Sequence, residues 1–179
     1  MEATENDVGK CMIFSYEVTR RTAEYYKKRN THASTEKLIF DHFIGKLAEI
    51  FVYNNFTEFG YRCSYPSFKT EYEKSDVADM VVIKDGKEIN LHCKVVRFDS
   101  PVKDSWLIET NEIEALDEND YFVLCVFHSP THIEIKRLIC SIHIPWSKPR
   151  HKSLSTKSAI YLSELPSRKS LISDSKSLM

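Results

Sequence analysis

Apolar residues at Leu38, Ile39, Phe43, Leu47, Ile50 and Phe51 recur at three- and four-residue steps. That spacing belongs to a helix with one core-facing side and predicts a helix from Glu36 to about Asn55. The preceding "YEVTRRTAEYYKKRN" is charged and mixed, and predicts an earlier helix within the first forty residues. Between the two, Ser34, with Thr31 and Thr35 nearby, supplies N-cap candidates. Lys37 stands where a full capping box from Ser34 would need Glu or Gln.

After Gly60 the pattern changes to alternation. "YRCSY" reads as a strand, and "ADMVVI" and "EINLHCKVV" read as two strands around Asp85-Gly86, a pair suited to a tight hairpin. "DSWLIETNEIEAL" reads as a helix with Asp104 or Ser105 as N-cap. "DYFVLCVF" is a continuous apolar run, the signature of a strand buried on both faces. "HIEIKRLICSIHI" predicts one or two further strands before Pro145. The order helix, strand, strand, strand, helix, strand predicts a three-layer α/β domain, a mixed sheet flanked by helices. One domain is expected over residues 1–165, with the Ser/Lys-rich 166–179 as a flexible tail.

One strand in this pattern carries chemistry. His92 and Lys94 are two residues apart, so both point to the same face of "EINLHCKVV". The strand across the hairpin opens at Asp79, with Asp76 three residues earlier. Lysine is rarely placed in a half-buried strand without a partner. Phosphodiester hydrolysis asks for such a set: oxygen ligands for a hard cation and a positive group near the attacking water.

In these positions and this order of elements the chain resembles the PD-(D/E)xK phosphodiesterases, which include many restriction endonucleases and recombination nucleases. The resemblance covers roughly residues 36 to 127 and implies a restriction-endonuclease-like fold. It places Asp79 as the first acid at the head of a strand, with Asp76, after Ser75, as a rival for that role. Lys94 matches the family's lysine, and Glu49 in "GKLAEIF" matches the glutamate of the first core helix. His92 stands where the family has Glu or Asp, which removes one negative charge from the site. The implied catalytic set is Asp79, Glu49, His92 and Lys94. The implied cation is Mg2+, with Mn2+ able to substitute, held by Asp79 or Asp76, Glu49 and waters. His92 either ligates or orients a water; imidazole suits Mn2+ better than Mg2+. The implied activity is a restriction-type endonuclease acting on DNA, as a homodimer if both strands are cut. The alternative is a binding module of the same fold whose site has decayed.

Composition changes the picture in three places. The net charge of −1 conceals a split: residues 147–179 hold seven Lys/Arg against two acids, while residues 1–146 hold 18 against 24. A basic end suits phosphates, and Lys148, Arg150 and Lys152 become candidate nucleic-acid contacts. Lys103, Ser105 and Trp106, just after the catalytic strand, are further candidates, with Trp106 either stacking on a base or anchoring the core. Five cysteines without a CxxC pair argue against a disulfide framework or a zinc ribbon, and predict a reducing, cytoplasmic setting. No apolar run is long enough to span a membrane, and the acidic N-terminus is unlike a secretory signal.

Several function classes drop out. Four glycines and no GxxxxGK[ST] or GxGxxG leave nothing to cradle a nucleotide phosphate. His128 and His132 have a metalloprotease-like separation, but Pro130 between them excludes the helix it requires. No nucleophile elbow is present.

Overall fold

The hairpin predicted at Asp85-Gly86 forms the centre of the sheet. In the computed structural model Asp85 (φ 50°) and Gly86 (φ 78°) both adopt the left-handed conformation, the requirement of a two-residue turn that matches strand twist. The structure describes residues 3–28, 34–70, 78–101, 104–150, 154 and 156–166, with side chains described from 3–22 in the first of these segments. The predicted tail beyond 166 lies outside the described residues.

Helix α1 spans Glu5–Lys28 and α2 spans Thr35–Glu58. Ser34 caps α2 by accepting a hydrogen bond from the Lys37 N–H at 3.2 Å, satisfying one of the free donors of the first turn. Strands β1 (Arg62–Cys63), β2 (Met80–Lys84), β3 (Lys87–Arg97), β5 (Asp120–Ser129) and β6 (His132–Cys140) form a five-stranded sheet in the order β1-β2-β3-β5-β6. The β3–β5 pair is parallel and the other pairs are antiparallel. The molecule is thus mixed α/β, with a mixed sheet flanked by helices. Among the described residues no helix is long and apolar enough to cross a membrane.

The connection from β3 to β5 departs from expectation. The predicted helix over "DSWLIETNEIEAL" is instead strand β4 (Ser105–Glu109) followed by a single helical turn, α3 (Thr110–Ile113). Strand β4 pairs antiparallel with β7 (Lys157–Tyr161) as a separate ribbon. Tertiary pairing explains the change. Trp106 and Ile108 alternate inward and bury against Phe122, Leu124 and Val126 of β5, which a strand's two-residue period permits.

Two cores result, one on each face. Leu91, Val123, Cys125 and Phe127 pack against α2, while Trp106, Phe122, Leu124, Ile139 and Ile160 close the ribbon side. Helix α2 is less one-sided than its apolar spacing implies. From Phe43 to Val52 every residue but Gly45 is buried, because α1 packs against it while its other side meets the sheet. Lys46 and Glu49 are drawn inside with their apolar neighbours.

Candidate active site

Strand β3 brings the site together by alternation. Cys93 and Val95 join the helix-side core, while Val96 packs into the ribbon-side core. His92 and Lys94 share the face of Val96. Asp79 is fixed beside them by two bonds across the hairpin. Its N–H donates to the Leu91 carbonyl at 3.0 Å, and its Oδ2 accepts from the Cys93 N–H at 2.7 Å. No hydrogen bond among the described residues reaches its Oδ1.

Glu49 arrives from α2. Lys46, one helical turn earlier on the same helix, donates to Glu49 Oε2 at 2.5 Å and to the Ser67 carbonyl at 2.8 Å. The Lys46 ammonium also sits over the Phe14 ring, 4.7 Å from its centroid, so the Lys46–Glu49 contact is gripped by α1, α2 and the segment after β1. Burial, and then the charge of Asp79, push the Glu49 carboxyl up to about 8 against the opposing pull of Lys46 and Lys94. The site therefore favours the protonated carboxyl over the charged one. Glu49, Asp79, His92, Lys94 and Lys46 line one cavity of about 570 Å3. Ile108, Glu112 and Leu116 also line it, contributed by β4 and the residues that follow.

His92 lines the same cavity but is tied elsewhere: its Nε2 lies 2.9 Å from Asp120 Oδ1, and its ring stacks on Phe122. Among the described residues no three His, Cys, Asp or Glu side chains come close enough to form a ready metal-ligand group. The oxygen donors still suit one hard cation. Mg2+ is commonly held by one or two carboxylates while keeping several waters, and Glu49 with Asp79 supplies that number. Their mutual repulsion, which helps raise the Glu49 carboxyl, is what a cation between them would relieve.

The remaining candidates scatter. Asp76, Lys103 and Lys152 lie outside the described residues. Ser105 and Arg150 line a second cavity with Asp104 and Tyr161, separate from the one holding Asp79 and Lys94. The Arg150 guanidinium lies over the Tyr161 ring at 4.2 Å, and Lys148 is exposed. Trp106 is no nucleic-acid contact: at 1% exposed, with its Nε1–H donating to the Cys125 carbonyl at 3.1 Å, it offers no ring face to a base. Two residues that sequence reasoning passed over matter here. Lys46 carried a signal in its three-residue spacing from Glu49, which puts both on one helix face. Asp120 carried none, because only the β3–β5 register sets it near His92.

No protein-family model matches this chain, and no curated protein resembles it closely enough to count as a relative. Its chemistry must therefore be argued from this cavity.

Proposed function

We propose that this chain is a metal-dependent endonuclease that hydrolyses phosphodiester bonds in DNA, built on the restriction-endonuclease-like plan with histidine in place of the second acid. One observation carries the reading. Glu49 from α2, Asp79 from the head of β2 and Lys94 from β3, distant in sequence, line the same cavity. Glu49 and Asp79 hold the divalent cation, Mg2+ or Mn2+, and Lys46 keeps the Glu49 carboxyl in place. When bound, the cation supplies positive charge for the scissile phosphate and eases loss of a proton from water. Lys94 orients that water and offsets the negative charge that grows on the phosphate in the transition state. Cutting both strands calls for a homodimer, since one cavity of this size serves one strand.

Histidine at position 92 in place of the second acid favours a second reading, a DNA-binding module whose site no longer turns over. Cleavage of supercoiled plasmid and single-stranded DNA with Mg2+ or Mn2+ separates the two. The wild type is expected to cut, and Lys94→Ala and Asp79→Ala are expected to lose cutting by at least the ~100-fold typical of a missing acid–base group, while keeping their fold by circular dichroism. A wild type that shifts DNA in a gel but cuts nothing under either metal decides for the binding module.

A further inference from the structure

The exchange of an acid for His92 is matched by a carboxylate behind the ring. Asp120 opens β5, and the parallel register sets it opposite Asn90, with Phe122 opposite His92. Asp120 Oδ1 meets His92 Nε2 at 2.9 Å and accepts from Asn90 Nδ2 at 3.2 Å. Its Oδ2 accepts from the Asp117 N–H at 2.7 Å. Burial alone would raise this carboxyl, which is only 2% exposed. Independently of the histidine, the Asn90 amide and the Asp117 N–H both donate to it and favour its charged form.

An ionised carboxylate only accepts. The histidine nitrogen facing it must therefore carry the hydrogen, and the neutral ring has its lone pair on Nδ1. Phe122, stacked 5.0 Å away at 23°, keeps the ring from turning out of this plane. No hydrogen bond among the described residues reaches Nδ1, and the ring lines the cavity with Asp79 and Lys94.

We propose that Asp120 is a positioning residue that holds His92 as its Nε2–H tautomer, so that Nδ1 is the acceptor that orients the attacking water. The tautomer stands on the hydrogen bonds alone; the role of the water rests on the nuclease reading above. With Glu49 and Asp79 holding the cation, His92 acts on water, and the charge lost from the cavity wall returns one residue further back.

The test uses the full chain labelled with 15N-histidine, its His92 signals assigned with a His92→Gln variant. Long-range 1H–15N correlation on the neutral ring is expected to show a protonated Nε2 and a bare Nδ1 in the wild type, with this preference lost in Asp120→Asn. In that variant kcat should fall about 10- to 100-fold, the usual effect of removing such a supporting carboxylate. KM for DNA, and Mn2+ binding followed by electron paramagnetic resonance without DNA, should hold. A wild-type ring protonated on Nδ1 overturns the proposal, as does an Asp120→Asn variant that keeps both the tautomer and kcat. Loss of Mn2+ binding in Asp120→Asn overturns the water role in favour of direct ligation. Once His92 is assigned, the wild-type tautomer is read whether or not Asp120→Asn folds. The expected tautomer in a protein that cuts under neither metal removes the nuclease reading, and the water's role with it, while the positioning of the ring stands.

Discussion

Replacing Glu49 by Gln should make the metal-free protein more resistant to alkali than the wild type. Glu49 titrates near 4.5 when the chain is unfolded and near 8 in the fold, where burial comes first and the Asp79 charge second. Between those values the folded state holds a proton that the unfolded state has released, so stability falls as pH rises. The loss is complete above about 8. At about 1.4 kcal/mol per pH unit the full penalty is on the order of 5 kcal/mol, with no allowance for solvent because the carboxyl is buried. That is a large share of the 5–15 kcal/mol that typically holds a domain of ordinary size together. Glutamine imitates the protonated acid, keeps an oxygen for Lys46 and cannot ionise. Urea unfolding in EDTA at pH 5, 7 and 9 reads the effect. The two proteins should differ least at pH 5, and the Glu49→Gln variant should gain steadily on the wild type toward pH 9. Saturating Mg2+ should restore the wild type most strongly at pH 9, since a cation on Glu49 displaces the proton, and should do little for the variant. Stability curves that run parallel across this range would falsify the assignment of Glu49 as a carboxyl kept protonated by its site.

Two predictions concern the fold around the cavity. Trp106→Ala removes the largest fully buried side chain of the ribbon-side core and should cost about 3–5 kcal/mol in urea unfolding. Weaker DNA binding at unchanged stability would contradict its placement in the core. Gly86→Ala puts a side chain at φ 78° and should cost on the order of 1 kcal/mol, lowering the urea midpoint; no loss at all would mean that the hairpin turn differs from the one described.

What the sequence could reveal was set by the range of the interactions involved. The α2 helix, the turn at Asp85-Gly86 and the buried β5 strand are specified by neighbours a few residues apart, and all three formed where the patterns put them. Glu49, Asp79 and Lys94 were singled out by a resemblance in the order of elements, and the structure sets all three around one cavity. Strand β4 was not legible. Its five residues, Ser-Trp-Leu-Ile-Glu, fit a helix start as well as a strand. The choice is made by β7, whose Ile160 pairs with Trp106 from far along the chain. The burial of Lys46 and Glu49 was equally hidden, because α1 and the sheet enclose α2 from opposite sides and no local periodicity reports two neighbours at once. Asp120 stood at the head of the apolar run "DYFVLCVF" with nothing local to mark it, and only the register between β3 and β5 sets it near His92.

The ribbon of β4 and β7 also sets an order of events during synthesis. Ile108, Glu112 and Leu116 line the cavity from β4 onward, but among the described residues β4 finds its only strand partner at Lys157–Tyr161. A chain emerging from the ribosome can therefore bring Glu49, Asp79 and Lys94 together while the β4 part of the cavity lining is still unanchored. The cavity is therefore completed only when almost all of the described chain has left the tunnel.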